Sequence, residues 1–290
     1  MTDTLAAIVS IGFHGLAFAM VLYLISVGLS VTMGMMGFVN LAHGVFAMLG
    51  GYIMTTMMSR IGVPFVPALF CAFIGAALGS VLVERLLYRP LYGGDELDQV
   101  LLTMGLIFMS VAAATYVWGP LQQPMHPPSW LSGQIDFGFR SFPRYRSFLI
   151  LCGAGLVTAL WLGVERTYFG MRIRAAVDNL RMAQSVGINT SRLFTWTFAL
   201  GSGLAGLGGG LGADLLAINP TYGLENLVYF LIVVAVGGLG SIRGPFVAAL
   251  LLGVADTGFK YLLPELGAFF IYALTMAILL WRPRGLFGRA

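Results

Sequence analysis

Long apolar runs, separated by short polar connections, constrain the fold of this chain more than any other feature. Hydrophobic residues make up 58% of its 290 residues and charged residues only 10%, and its mean hydropathy is +0.88. A soluble domain carries about 25% charged residues. The runs are too long and too uniformly apolar for the alternating strands of a membrane barrel. The sequence therefore predicts an all-α, polytopic transmembrane bundle that forms a single domain over residues 1–290.

Nine spans follow from the requirement of about 20 apolar residues for each crossing of the hydrocarbon core. They cover residues 8–33, 43–58, 64–87, 97–118, 146–165, 192–212, 225–240, 245–263 and 265–283. The second and the seventh are short, so eight crossings, or re-entrant segments at these two places, stay open as alternatives.

Positive charge is unevenly distributed along the chain. No Lys or Arg precedes Arg60 and no cleavable signal peptide is recognisable, so we expect the N-terminus outside and, with nine spans, the C-terminus in the cytoplasm. The cytoplasmic side then holds eleven basic residues, Arg85, Arg89, Arg166, Arg172, Arg174, Arg181, Arg192, Arg243, Arg282, Arg284 and Arg289, and the outside holds five, Arg60, Arg140, Arg144, Arg146 and Lys260. This imbalance accounts for the net charge of +4 without nucleic acid as a partner.

Several signatures of catalysis are missing from the sequence. It has no G-x-x-x-x-G-K-[ST] phosphate loop, so it does not hydrolyse ATP by that mechanism. Its three histidines and two cysteines do not show the spacing of a metal site, and Cys71 and Cys152 lie in apolar spans, where free thiols simply pack. We expect neither an enzyme nor a bound cofactor.

The longest polar segment joins two spans between Arg166 and Arg192 and is rich in arginine. Helical spacing predicts a short protruding helix with a small apolar stripe on one face and charge on another. The stripe is Ala176, Leu180, Ala183 and Gly187, and the charged face is Arg174, Asp178, Arg181 and Ser185; Arg172 is a further candidate contact in the same loop. Such a helix can fit a groove on another protein, with Gly187 as its C-terminal cap residue. The alternative is a solvated loop helix without a partner.

Two glycine-rich stretches interrupt apolar runs. In the first, Asn40 and His43, followed by Gly44, are polar groups in apolar surroundings and indicate a pathway or gate element. Alternatively, they satisfy the backbone of a broken helix. The second stretch carries Gly237, Gly238, Gly240 and Ser241. Interrupted segments in corresponding halves are typical of translocation sites, and no Lys follows that would make this stretch a phosphate cradle.

Few charged residues fall within the predicted spans. Asp256 lies mid-span and is a candidate intramembrane charge, although Lys260 follows at i+4 and can pair with it on the same helix face. Glu84 and Arg85 close the third span, where we expect them only to anchor it at the membrane surface.

Three stretches together resemble the branched-chain amino acid permease family of ABC importers. They are GMMGFVNLAHGVFAMLGGY at 34–52, RAAVDNLRMAQSVGIN at 174–189 and GGLGSIRGP at 237–245. The middle one is similar to the E-A-A-x-x-x-G loop of importer permeases, with Arg181 in place of the glutamate.

The resemblance implies a permease subunit of the bacterial inner membrane. It implies as partners a second related permease in a heterodimer, two cytoplasmic ATPase subunits that bind the ATP, and an external substrate-binding protein. ATP-driven movement of the ATPases would act on the helix near Arg174–Gly187. The implied substrate is a branched-chain or other hydrophobic amino acid, with urea, short amides and aromatic carboxylates as alternatives from related permeases.

A self-sufficient channel or an ion-coupled transporter is the alternative function. It would use Asp256 as the ion-coupling carboxylate, and interrupted helices are equally expected in that class.

Overall fold

The chain is described by a computed structural model that covers residues 2–136, 138 and 140–288. Within these residues the regular structure is helical apart from one short hairpin, so the predicted all-α bundle is confirmed. The helices are α1 (Thr2–Met36), α2 (His43–Thr56), α3 (Phe65–Val83), α4 (Glu96–Trp118), α5 (Arg144–Arg166), α6 (Tyr168–Asp178), α7 (Leu180–Ser185), α8 (Thr190–Leu211), α9 (Tyr222–Glu225), α10 (Leu227–Gly237), α11 (Arg243–Leu262) and α12 (Gly267–Trp281). The hairpin pairs β1 (Gln134–Asp136) with β2 (Ser141–Pro143).

Short turns of other helix types continue some of these elements. π-helical turns extend α2 to Ile61 and α3 to Tyr88, and 3₁₀ turns follow at Arg89–Leu91 and Gly212–Asp214.

Each of the nine predicted spans contains a helix, but the helices differ in length. Five of those in the described residues are long and apolar enough to cross a bilayer: Leu5–Met36, Phe65–Leu91, Glu96–Trp118, Arg144–Arg166 and Arg243–Leu262. The helical segments Tyr222–Gly237 and Phe269–Trp281 are apolar but shorter. The seventh span, which was predicted to be short, begins beside a break at Asn226 between α9 and α10.

Helix α8 lies at the centre of the bundle, packed against α1, α2 and α3. Gly28 of α1 and Gly201 of α8 bring these two helices into backbone contact, because a Cβ atom at Gly28 would lie 2.5 Å from the Cα atom of Gly201. Small residues at such crossings let helices approach closely in lipid, where there is little hydrophobic drive for association. The close packing of α8 fixes the scaffold on which the irregular segments are held.

The basic residues separate to the two ends of the bundle. The end with α6 and α7, termed the α6–α7 end, carries the predicted cytoplasmic set, of which Arg289 lies outside the described residues. The other, the hairpin end, carries the predicted outer set, for example Arg146, whose Nη1 lies 2.6 Å from Nδ1 of His14 near the start of α1. The predicted charge imbalance therefore holds between two real ends of the molecule.

Candidate functional site

The segment between α5 and α8 folds into an arm, residues 168–188, made of α6 and α7. The predicted single helix over this segment is wrong, because the chain breaks at Asn179 (φ −156°, ψ 100°). Asn179 ends α6 and caps α7, and its side chain accepts a hydrogen bond from the backbone N–H of Met182 at 3.0 Å. Asparagine favours such caps over helix interiors, so the break was readable from the sequence.

The apolar stripe of the arm faces its own bundle. Ala176 and Ala183 are buried in a cluster with Val31 and Met35 of α1 and with Leu193 and Phe194 of α8. Leu180 packs against the same cluster. The prediction that this stripe is an apolar knob for another protein is therefore wrong. The stripe attaches the arm to the ends of α1 and α8, since those helices offer the nearest apolar surface.

The outward face of the arm combines charge with two large apolar side chains. Arg172, Asp178 and Arg181 are exposed, and Met182 and Val186 are 63% and 70% exposed. Solvent-exposed apolar groups of this size next to arginines are typical of a protein-contact surface.

Gly187 terminates α7 as predicted. Its φ is +86°, a conformation that glycine adopts without the cost paid by other residues. The N–H of Ile188 donates to the carbonyl of Ala183 at 3.1 Å, and the N–H of Gly187 donates to that of Gln184 at 3.0 Å. This pair of bonds is the Schellman motif, which fixes the end of the arm.

Ion pairs connect the end of α5, next to the arm, with Arg174 of α6 and with the start of α11. Glu165, at the end of α5, accepts from Arg243 at 2.8 Å and lies 3.9 Å from Arg174. Arg174 also donates to the carbonyl of Val164. These groups border a cleft of about 290 Å³ that Ser241 also lines.

The chain between α1 and α2 turns back into the bundle. His43 is fully buried at the first position of α2, and its Nε2 atom lies 2.9 Å from the carbonyl oxygen of Ile25. Ile25 lies eleven residues before the end of α1, or about 16 Å at 1.5 Å per residue. Helix α2 therefore begins inside the bundle, as the predicted broken helix requires, and runs toward the hairpin end.

The extended connection into α2 is held by polar side chains. Asn40 is 1% exposed and its Oδ1 accepts from the hydroxyl of Tyr88 at 3.0 Å. The backbone N–H of Val39 donates to Oε1 of Gln99 at 2.9 Å. These contacts replace the helical hydrogen bonds that the extended chain lacks, as expected for non-helical backbone at membrane depth.

A second broken span meets the first at Gly44. Gly223 of α9 packs directly on Gly44, and Phe230 of α10 lies beside them. The irregular chain between α8 and α9 enters from the hairpin end, and α10 continues to the α6–α7 end. The first span is extended and then helical, and the second is irregular and then helical in the opposite direction. Oppositely directed broken helices that meet inside the bundle are typical of transporters.

Several buried polar atoms around this meeting point have no hydrogen-bond partner within the described chain. They include Nδ1 of His43, Nδ2 of Asn40, Oγ of Ser26 and the hydroxyl of Tyr222. Unpaired buried polar groups are costly. Their concentration where the two broken spans meet, around Gly44 and Gly223, marks this place, termed the junction, as a candidate functional site.

The stretch Gly237–Ser241 does not lie at the meeting point of the broken spans but against the last turns of α1. Ser30 of α1 donates to the carbonyls of Gly238 and Ser241 at 3.3 and 3.0 Å and accepts, through its own carbonyl, from the N–H of Gly240 at 3.0 Å. A Cβ atom at Gly34 would clash with Gly240. The loop is thus bound to the last turns of α1.

The two glycine-rich stretches therefore do not form one cluster. Gly34 contacts Gly240, whereas His43 lies level with Ile25, which is nine residues, or about 13 Å, closer to the start of α1. The C-terminal segment completes the second stretch, because the N–H groups of Leu286 and Phe287 donate to the carbonyls of Val236 and Gly237.

Asp256 and Lys260 form the predicted pair on one face of α11. Oδ2 of Asp256 accepts from Nζ of Lys260 at 2.7 Å, and Asp256 is 3% exposed. Asp256 lies in the half of α11 toward Leu262, so it is displaced from mid-span, and the half-exposed Lys260 reaches the helix end. The geometry fits a paired charge at the membrane boundary.

Glu84 is the residue that sequence reasoning missed. Instead of anchoring α3 at the surface, it is fully buried, and its two carboxylate oxygens accept from the hydroxyls of Tyr92 and Thr195, both at 2.9 Å. Burial, followed by the charge of Glu84, raises the pKa of Tyr92, so the Tyr92 hydroxyl keeps the proton that it donates. Glu84 thus links α3, α8 and the connection to α4.

Comparisons with known proteins bear on this arrangement. A protein family described as "Branched-chain amino acid transport system / permease component" matches residues 11–279. The high-affinity branched-chain amino acid transport system permease protein BraD of Pseudomonas aeruginosa is 30% identical over 95% of this chain and 94% of its own length. No solved structure matches the chain significantly.

Two permease proteins of Escherichia coli (strain K12) are also similar. LivH is 26% identical over 96% of this chain and 94% of its own length. LivM is 25% identical over 92% of this chain and 68% of its own length. Both names describe permease proteins of a high-affinity branched-chain amino acid transport system.

These matches confirm the resemblance drawn from the three sequence stretches. Members of the family are transport subunits, not enzymes, and the ATP is bound by separate ATPase subunits. With a family match over nearly its whole length, the chain belongs to the branched-chain amino acid transport permease family.

Proposed function

We propose that this chain is one of two related permease subunits that carry branched-chain amino acids into a bacterial cell through an ATP-driven importer. The names of its relatives support the substrate class. Its similarity to both LivH and LivM, two permeases of one strain, supports a partnership between two homologous chains. The closer match in length to LivH supports the LivH side of the pair for this chain.

The outward face of the arm carries the proposal. Met182 and Val186 are mostly exposed, although the same arm buries Ala176 and Ala183 against α1 and α8. An ATPase that binds this face would push on an element that is fixed to the bundle by apolar packing. The arm is thus built to receive a partner on one side and to transmit its movement on the other.

The transmission route runs through α1. The arm contacts α1 at Val31 and Met35, and α1 also carries the contacts of both broken spans, at Ile25 and at Ser30. A shift of α1 would therefore be felt at His43 and at the loop before α11 together. Rigid helices that move against each other around a fixed interior site produce alternating access.

We assign the α6–α7 end to the cytoplasm. It carries most of the basic residues, which the positive-inside rule places there, and ATPase subunits act from that side. The N-terminus and the hairpin β1–β2 then face the external substrate-binding protein.

The test replaces the exposed apolar pair of the arm. In the importer assembled with its ATPase subunits, Met182→Glu together with Val186→Glu should abolish co-purification of the ATPases and amino acid uptake. The matched control is Leu121→Glu, which changes a 75% exposed leucine at the opposite end. It should leave co-purification of the ATPases unchanged. Full ATPase binding by the double variant would refute the proposed docking face.

An ATP-independent carrier is the second candidate, and Asp256 would have to couple the ion. The observed pairing of Asp256 with Lys260 at 2.7 Å weighs against it. Uptake by the isolated chain in liposomes without ATPase subunits would establish the carrier instead.

A further inference from the structure

Three arginines converge on a cleft at the α6–α7 end. The cleft has a volume of about 340 Å³. Arg85 and Arg89 reach it from the end of α3, and Arg192 reaches it from the first turn of α8. Ser191 and Asn189 add polar groups at the same place. Arg192 and Asn189 also line a neighbouring pocket with Val186 of the arm, so the cleft borders the proposed docking face, although neither Met182 nor Val186 lines the cleft itself.

The positive charge of this cleft is not neutralised by ion pairs. None of the three arginines belongs to an ion pair in residues 2–136, 138 and 140–288. Thr195, which also lines the cleft, donates to Glu84, and this buried carboxylate already accepts two hydrogen bonds. Three guanidinium groups around one cleft therefore call for an external anion, and the planar donors of arginine suit phosphate oxygens.

An apolar groove continues from the cleft along the bundle. It has a volume of about 480 Å³ and runs between α3 and α8, lined by Phe73, Ala77, Phe169, Ala199 and Leu200. Trp196, 67% exposed, lines both the groove and the basic cleft. Tryptophan prefers this position at the boundary between headgroups and hydrocarbon.

We propose that the cleft and the groove together bind one anionic phospholipid. Its phosphate lies among Arg85, Arg89 and Arg192, and one acyl chain lies in the groove below Trp196. A soluble phosphate would use only the cleft and would leave the groove unexplained. Basic pockets between transmembrane helices bind anionic headgroups for the same reason. Because α3 and α8 pack on each other, the lipid bridges two helices of the central scaffold.

The test measures lipid binding to the full-length purified chain by native mass spectrometry. Delipidated protein is titrated with phosphatidylglycerol, with phosphatidylcholine of the same acyl chains, and with inorganic phosphate alone. The wild type should bind phosphatidylglycerol roughly tenfold or more better than phosphatidylcholine, given the attraction of several arginines for one phosphate. Inorganic phosphate should neither bind at lipid concentrations nor displace the lipid.

Charge variants locate the site. Arg85→Gln, Arg89→Gln and Arg192→Gln together should remove the preference for phosphatidylglycerol, and the three Lys substitutions should retain most of it. The control variant replaces Arg60, Arg140 and Arg144 at the hairpin end by Gln and should keep the preference. If the triple Gln variant does not fold, Arg85→Gln and Arg89→Gln singly, at exposed positions, should each lower the preference.

Three results would overturn the proposal. One is an unchanged preference in the cleft variants, and another is an equal loss in the hairpin-end control. The third is a cleft variant that loses the ATPase or the partner permease while it binds phosphatidylglycerol normally, which would make the cleft a protein contact. The lipid titration uses the isolated chain without an ATPase, so its result can fail while Met182 and Val186 still dock the ATPase, and the docking test can fail while the lipid preference holds.

Discussion

The arm and the junction of the broken spans are built on opposite principles. In the arm, each helix end is closed by a side chain or a glycine, as at Asn179 and Gly187, so the unit is locally complete. At the junction, buried polar atoms of His43 and Tyr222 have no partner within the described chain, and the helices meet through glycine. A part that transmits force must keep its shape, whereas a part that opens and closes must exchange contacts at low cost. The difference indicates where the molecule is rigid and where it changes.

The largest effect is expected at the crossing of α1 and α8, where Gly28 meets Gly201, since the junction is held on these two helices. Gly28→Ala should lower the free energy of unfolding by about 3 kcal/mol, the upper range for overpacking a core, because the added methyl group meets the backbone of Gly201. The control Gly155→Ala lies on an open helix face and should raise stability by about 0.5–1 kcal/mol. Unfolding in a detergent titration measures both, and equal effects would show that α1 and α8 can move apart freely.

The buried carboxyl group of Glu84 gives the next largest effect. Glu84→Gln should cost about 2 kcal/mol, because Gln offers one acceptor oxygen where the hydroxyls of Tyr92 and Thr195 now have two. The same titration applies, with Glu96→Gln as the control at an exposed carboxylate near the start of α4. A cost as small as that of the control would mean that Glu84 does not hold the end of α3 to α8.

Glu84 also shows where sequence reasoning stops. Hydropathy placed a helix correctly within each of the nine predicted spans. The apolar signal is repeated over many positions of a span, so local errors average out. A single charged residue next to an apolar run has the same sequence signature whether it faces water or the interior. Its partner Thr195 is 111 residues away, and no local pattern reports such a contact.

The arm was predictable in part for the same reason. Its position between two spans and the cap at Gly187 are local features, and both were found. The direction of the stripe of Ala176 and Ala183 depends on the apolar ends of α1 and α8, which are distant in sequence. The break at Asn179 was a local signal that the helical spacing of the stripe concealed.

Substitution of the buried His43 tests the role of the junction. His43→Leu should cost about 1.5 kcal/mol, since the contact with the carbonyl of Ile25 is lost, and should reduce amino acid uptake in the reconstituted importer. His43→Gln can still donate and should keep more of both stability and uptake. Equal behaviour of the two variants would assign His43 a packing role only.

The corresponding substitution in the arm replaces Gly187, and its expected effect on stability is smaller and confined to the end of α7. Gly187→Ala should destabilise the last turn of α7 by about 1 kcal/mol, because alanine is strained at a φ of +86°. Hydrogen exchange of the amides of 183–188 should accelerate while the bundle stays protected. Gly163→Ala, at an open helical position, is the control. Faster exchange at His43 as well would show that the arm and the junction are not separate units.

The smallest effect concerns the ion pair between Glu165, at the end of α5 beside the arm, and Arg243, at the start of α11. Arg243 is 62% exposed, so Arg243→Gln should cost no more than about 0.5 kcal/mol, as exposed pairs do, and the cost should shrink further in high salt. Combining it with Glu165→Gln in a double-mutant cycle isolates the pair. A coupling above about 1 kcal/mol would exceed the range for exposed pairs and would mean that this pair fixes the end of α5, from which the arm starts, to the start of α11. Movement of the arm by an ATPase would then reach the start of α11 through the end of α5, without passing through α1.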